Sequence, residues 1–517
     1  MIELGAPYLV GVDIGTTTSK GLVIDSDGKV ASEASFEHDV IFPKLGWAEH
    51  DPEKHWWNDF VKITRTLLDK SKIRPTEIRG IGVSGLCPSV VLLNKDGSPI
   101  RPAILYSDTR AIKEIKFMKE NIGSDEILEI SGNQATTQTV APKILWVKRN
   151  EQQNFIKTRM LLSAPYNYIV YKLTGQFSMD YGTAKWFGIF DARKLMWRQD
   201  FCDQLGIPSS ILPPVYDATH VIGETTEEAA RDTGLPKNMP VIVGACDSAV
   251  EPLSVGVVKS GDAVFTYGTT GLLKVCCDTL KVVPGLHSDI HCIKPLRYFL
   301  GGAMVTTGAL VKWFRDQFGH PELKEQEISN VDAYRILDSK AAEISPGSEG
   351  LIALPYFMGE RTPIFDPLAR GVVFGLTLSH TRVHIYRALL EAVGYALYNH
   401  LEILKEHSAL PKRIIASGGG ARSELWRQII SDIINMPQGY METPGVPYGA
   451  AYLAGYGVGI FKDFKTISEK WVKPVAITKP RPEVHKKYEK FFKVYIKLYP
   501  VLKDLYGELA DALEHSS

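Results

Sequence analysis

Three turns rich in glycine and hydroxyl residues are the parts of this sequence best equipped for chemistry. They read Gly15-Thr16-Thr17-Thr18-Ser19-Lys20, Gly268-Thr269-Thr270-Gly271 and Ser417-Gly418-Gly419-Gly420-Ala421-Arg422-Ser423. Each follows an apolar run: Leu9 to Ile14, Ala263 to Tyr267, and Arg413 to Ala416. Such turns gather backbone N–H groups and hydroxyls into concavities that bind anions. The third opens a helical pattern, Glu424 to Ile434, whose N-terminal dipole favours phosphate. Two acids stand beside these turns. Asp13 ends the first apolar run, where a carboxylate can hold hydrated Mg²⁺ against phosphates. Asp247 ends another run amid small residues, Gly244-Ala245-Cys246-Asp247-Ser248, where it can accept a hydroxyl proton. Either acid could equally cap a turn or a helix.

Other motifs carry less. Gly80-Ile81-Gly82-Val83-Ser84-Gly85 matches a dinucleotide fingerprint, but Pro88 and a strand-like Val90 to Leu93 follow where a helix should begin. It reads as a strand with small residues for close packing. No GxxxxGK[ST] sequence occurs, so any phosphate is not held by a P-loop. His287-x3-His291-Cys292 has metal-ligand spacing without a fourth partner nearby and reads as core or surface. Cys276 and Cys277 are adjacent on an apparent strand and point to opposite faces.

The elements that must position these groups alternate between strand and helix, which gives an α/β class. Tyr8 to Ile14 and Leu22 to Ile24 read as strands around the first turn, with Asp25-Ser26-Asp27-Gly28 as a hairpin signal. Val90 to Leu93 and Ile100 to Leu105 read as a second hairpin, and Pro240 to Ala245 as a strand. Helical patterns cover Pro52 to Leu68, Ala111 to Lys119 and Lys143 to Arg149. The first two glycine turns are related: VGVDIGTTTSKGLVIDSDGKV and DAVFTYGTTGLLKVCCDTLKVV share strand, Gly-Thr-Thr, strand, about half the chain apart. Two similar lobes with a ligand cleft between them follow, with a boundary between Ser248 and Lys259.

The 517 residues predict roughly two to four domains. Lys+Arg and Asp+Glu balance at 59 each, which argues against general nucleic-acid binding. No apolar stretch is long enough to span a membrane, no signal peptide is evident, and six cysteines suit a reducing cytoplasm. The segment from Lys462 to Lys503 holds 12 Lys+Arg against 4 Asp+Glu. Its aromatic residues Tyr488, Phe491, Phe492, Tyr495 and Tyr499 fall at helical spacing, so the lysines form a solvated face over a docked stripe.

Taken together, the motifs resemble the FGGY carbohydrate kinase family, in particular its xylulokinase-like members, from about Leu9 to Gly459. GVDIGTTTSKG and FTYGTTG are similar to the family's two phosphate motifs. GACDSA is similar to the segment with its catalytic aspartate, and ASGGGARSELWRQIISDI to its adenosine motif. GWAEHDPEKHWW, RPAILYSDTRA, APKILWVKR, PYNYIVYKLTG and the run from Gly371 to Glu391 resemble further landmarks.

The resemblance implies two ribonuclease-H-like lobes of the actin/Hsp70/hexokinase type, covering 1–253 and 254–517, with ATP in the cleft. It makes Asp247 the general base and Asp13 the Mg²⁺-linked carboxylate. Gly15, Thr16, Thr17, Thr18 and Lys20 face the transferred phosphate, and Gly268 and Thr269 the nucleotide phosphates. Gly308 and Lys312 touch ATP, while Gly419, Gly420 and Ser423 lie along adenosine. At the substrate loop this chain has Leu86-Cys87-Pro88-Ser89 where xylulokinases usually carry Gln-Met-His-Gly. Cys87 and Pro88 would border the sugar, and Leu and Pro cannot hydrogen-bond its hydroxyls as Gln and His do. A ketopentose such as xylulose is expected, with other ketoses and glycerol-, erythritol- or ribulose-type acceptors as alternatives. An actin- or Hsp70-like ATPase without sugar chemistry is the rival reading. A cytoplasmic enzyme is expected, its partners limited to the sugar and ATP, with a homodimer left open.

Overall fold

The computed structural model describes residues 7–443 and 445–514. Seven strands form the first sheet: β1 (Tyr8–Ile14), β2 (Thr18–Ile24), β3 (Val30–Glu37), β4 (Ile78–Gly85), β5 (Val221–Glu224), β6 (Pro240–Ile242) and β7 (Ala245–Cys246). Their order is β5-β6-β4-β1-β2-β3, with β7 also pairing on β4. The second sheet comprises β8 (Asp262–Tyr267), β9 (Gly271–Cys277), β10 (His287–Ile290), β11 (Tyr298–Met304), β12 (Arg413–Ser417), β13 (Gln438–Tyr440) and β14 (Ala476–Thr478). Its order is β10-β11-β9-β8-β12-β13-β14.

The two sheets repeat one device. β1 pairs antiparallel with β2 across the first glycine turn and parallel with β4. β8 does the same with β9 across the second turn and with β12. The sequence repeat therefore marks equivalent hairpins in two ribonuclease-H-like lobes. Six helices concern the site: α1 (Asn58–Ser71), α2 (Asp247–Ser254), α3 (Gly308–Phe318), α4 (Glu424–Ile434), α5 (Val446–Gly457) and α6 (Pro482–Glu514).

Packing does not follow chain order throughout. α5 lies in the second half of the sequence but packs on β1 and β4, and its Tyr448, Tyr452 and Leu453 join the first lobe's core. Apolar on nearly every face, it behaves as an internal helix. The glycine-rich β4 receives it: a Cβ on Gly82 would sit 2.0 Å from the Ala450 carbonyl oxygen, and one on Gly11 1.9 Å from that of Pro447. The Gly80-x-Gly82-x-x-Gly85 run is thus a strand that admits a helix backbone. A third core gathers Val90, Leu92, Ile144, Leu161 and Phe190 beside the first lobe.

The second hairpin forms: Val90 and Ile104 exchange N–H to carbonyl bonds at 2.8 and 3.0 Å, and the Ile100 N–H donates to the Leu92 carbonyl at 2.8 Å. Val91–Leu93 also pairs antiparallel with Met160–Leu162, a partner from outside the hairpin. One local expectation needs correction. The strand expected over Pro240 to Ala245 breaks at Gly244, whose φ is +78° with the Val83 carbonyl oxygen 2.3 Å from its Cβ position. That break separates β6 from β7. In α6, Tyr488, Phe492 and Tyr495 are buried while Lys486, Lys487, Lys490 and Lys493 are exposed, as the spacing predicts.

Candidate active site

Both acids sit at the carboxyl ends of parallel strands, the usual ligand edge of an α/β sheet. Asp13 lies opposite Lys20 on β2 and Ser84 on β4. Ala245 of β7 is also opposite Ser84, so the chain emerges level with Asp13 and reaches Asp247 at the start of α2. The Ser248 N–H donates to Asp247 Oδ1 at 2.6 Å. Asp13 Oδ1 is buried with no hydrogen-bond partner. Burial raises the Asp13 pKa, the Ser84 hydroxyl and Lys20 oppose this, and the charge of Glu251 adds to it. Burial also raises Asp247, and the neighbouring Asp13 charge raises it further.

The first glycine turn closes with Gly15 N–H on the Thr18 carbonyl at 3.1 Å. The Thr16 hydroxyl lies 3.3 Å from that of Tyr106, Thr17 is exposed and takes the His38 N–H on its carbonyl, and Lys20 is exposed on β2. In the second lobe, Gly268 and Thr269 occupy the β8–β9 turn. Their carbonyls accept the N–H groups of Gly308 at 2.7 Å and of Thr307 and Ala309 at 3.1 Å, which docks the start of α3 on the turn. A Cβ on Gly308 would meet the Gly268 carbonyl oxygen at 2.7 Å, so only glycine fits. Ser423 caps α4, accepting the Trp426 N–H at 3.0 Å.

A cavity of 1220 Å³ opens between these pieces, lined by Gly268, Thr269, Gly308, Lys312, Gly419, Gly420 and Ser423. Every residue of the second half that the sequence singled out for nucleotide is on its wall. Nothing lies within 4 Å of a Cβ built on Gly419, so the backbone there faces open space. Lys312 is exposed and tied to Asp316. Sequence reasoning missed Trp313, Tyr334, Asp338, Tyr386 and Glu442, which also line the cavity. Tyr334 and Asp338 share a helix face at i, i+4, a periodic signal too common to mark a site.

The comparisons with known proteins bear on the family. The N-terminal domain of the FGGY family of carbohydrate kinases matches residues 8–253, and its C-terminal domain matches 263–458. The chain belongs to the FGGY family of carbohydrate kinases. It is 30% identical to a xylulose kinase of Bacillus subtilis over 96% of this chain and 98% of that one. A gluconokinase of the same organism is 28% identical over 98% of each chain. The crystal structure of xylulose kinase from Rhodospirillum rubrum superposes with a TM-score of 0.89 at 33% identity, covering 97% of this chain and 100% of that chain. As a carbohydrate kinase the protein uses ATP, and among its described residues no helix is long and apolar enough to cross a membrane.

Near Asp247 this FGGY kinase has a wall of thiols and hydroxyls. Cys87 Sγ lies 3.4 Å from the Thr183 hydroxyl, which accepts from Tyr166 at 2.6 Å, and Pro88 follows in the same loop. Burial raises the Cys87 thiol, with Cys246 beside it. A buried ion triad crosses between the lobes here: Asp289 pairs with Lys185 at 3.1 Å and Lys274 at 3.0 Å. Burial alone would raise Asp289, but the two lysines hold it down to about 2. His291 is fully engaged, its Nε2 on the Val257 carbonyl and its Nδ1 accepting the Cys292 N–H, both at 2.9 Å.

Proposed function

We propose that this kinase transfers the terminal phosphoryl group of ATP to a hydroxyl of a ketopentose such as xylulose, or of a closely related ketose. Asp247 acts as general base. The carrying observation is its place at the head of α2, beside Asp13, on a helix whose Glu251 accepts from Thr266 and Ser417, residues next to two of the glycine turns. Asp247 orients the sugar hydroxyl and takes its proton, which typically contributes about 10²–10⁴-fold. Thr16, Thr17, Thr18 and Lys20 face the transferred group, with Gly15 closing the turn. Gly268 and Thr269 receive the nucleotide phosphates, with Gly308 and Lys312 beside them, and Gly419, Gly420 and Ser423 lie along adenosine. Cys87 and Pro88 border the sugar.

Asp13 fits Mg²⁺: its buried, unpartnered oxygen and raised pKa describe a carboxylate short of positive charge. An ion held there by Asp13 would take its remaining ligands from phosphates and water. When bound, Mg²⁺ would neutralise phosphate charge. Closing the lobes would exclude water from the transfer.

An acceptor bearing a carboxylate is the second reading. Lys185 and Lys274 place two buried positive charges against one Asp289 near the base, and a gluconokinase is among the relatives. The test is a coupled assay with ATP, Mg²⁺ and a panel of xylulose, ribulose, hexuloses, glycerol, erythritol and gluconate. Fastest turnover on a pentulose is expected. A preference for gluconate selects the second reading, and ATP turnover indifferent to all acceptors overturns both.

A further inference from the structure

α2 carries Asp247 at its first position and Glu251 one turn later, on the same face. Glu251 does not belong to any motif that the phosphate or sugar reading used. Its Oε1 accepts two hydrogen bonds from the other lobe: from the Thr266 hydroxyl at 3.0 Å and from the Ser417 hydroxyl at 3.4 Å. Thr266 and Ser417 are register partners on β8 and β12, with their hydroxyl oxygens 3.2 Å apart. Each stands next to a nucleotide turn. Tyr267 and Gly268 follow Thr266; Gly418 and Gly419 follow Ser417.

A second tie comes from a proline. Pro252 lies inside α2 and has no N–H, so it cannot donate to the carbonyl of Ser248 four residues before it. Lys274 of β9 takes that place, its Nζ donating to the Ser248 carbonyl at 2.6 Å while pairing with Asp289. The first turn of α2 is therefore held at both ends by side chains of the second sheet.

We infer that Glu251, backed by Lys274, is a positioning residue that locks the base's helix to the two nucleotide turns, so that base and ATP keep one geometry. The inference rests on the proposed function. A carboxylate in this place is costly: burial raises its pKa, and its charge also raises Asp13 and Asp247. A residue serving only to fill space would avoid that cost. The two hydroxyl bonds give the carboxylate its use, because a misplacement of about 1 Å can cost roughly 100-fold in rate.

The test compares Glu251→Ala and Glu251→Gln with the wild type by steady-state kinetics on the best acceptor. ADP affinity, read from fluorescence quenching of Trp313 and Trp426 in the cavity, and thermal midpoint are measured alongside. Glutamine keeps an oxygen that accepts both hydroxyls. Alanine is expected to lower kcat about 10-fold or more and to raise the KM for ATP, with the midpoint little changed, while glutamine stays within about threefold of wild type. Wild-type kinetics in Glu251→Ala overturns the inference. So does equal loss in both variants that tracks a lowered thermal midpoint, which marks a purely structural role. Failure of the wild type itself to phosphorylate any acceptor condemns the proposed function instead, and ADP quenching then still reports whether Glu251 sets the nucleotide turns.

Discussion

A buried polar cluster lies directly behind the first glycine turn. His38, His50 and His55 pack with ring centroids 5.0–5.6 Å apart, and His38 Nδ1 is 2.9 Å from Asp59. The Trp56 indole donates to His50 Nδ1 at 3.0 Å, so neutral His50 carries its proton on Nε2. Burial lowers His50 from 6.5 to about 3, with the neighbouring histidines adding to the shift. A histidine that is neutral when folded takes up a proton on unfolding below its unfolded pKa. Its contribution is intact above about pH 6.5 and is lost progressively as pH falls toward 3. The raised pKa values of Asp13 and Asp247 work in the opposite direction, so the effect must be read by difference. Thermal midpoints of wild type and His50→Gln between pH 7.5 and 5 (about the range where ordinary histidine titrates) should show a shallower acid decline in the variant. Equal declines would contradict the assignment. The cluster illustrates what the sequence conceals at this scale. The placing of Asp13 and Asp247 at strand ends, and of the glycine turns on the cavity wall, is legible because turn chemistry is local. Glu251, Lys274 and the three histidines act through contacts between distant segments, for which no spacing rule exists.

At the scale of elements, the seam between α5 and the first sheet is set by absent side chains. Gly11 and Gly82 admit the helix backbone at distances no Cβ permits. Replacing Gly82 by alanine must push α5 outward or bend β4, an overpacking cost of roughly 1–3 kcal/mol. A fall in thermal midpoint is expected, larger than for Gly459→Ala at the end of the turn after α5, where nothing lies within 4 Å of the new Cβ although φ is +79°. A smaller or equal loss at Gly82 would mean that the seam is slack. Here the sequence was readable in kind but not in partner. The small residues of β4 announce close packing, and the motif's missing helix excludes a dinucleotide site. That α5 comes from the far half of the chain is a long-range fact. The second partner of Val91–Leu93 has the same origin: an apolar strand pairs where its face is buried, and Met160–Leu162 offers that face.

The whole molecule is two copies of one hairpin-bearing sheet, crossed by α5 in one direction and by the Glu251 and Lys274 contacts in the other. The zero net charge of the chain hides how its charges are placed. Three acids, Asp13, Asp247 and Glu251, lie together: Glu251 raises both aspartates and Asp13 raises Asp247, with Lys20 and Lys274 opposing them. Under the proposed function, that excess of negative charge would suit a site that works with a cation and polyphosphate, with Asp247 taking the proton. The most direct test of this account is single-turnover phosphoryl transfer by Asp247→Asn with ATP, Mg²⁺ and the best acceptor, alongside ADP binding. Nucleotide affinity close to wild type with transfer slowed by about 10²–10⁴-fold is the predicted result. Transfer at the wild-type rate would contradict Asp247 as the base.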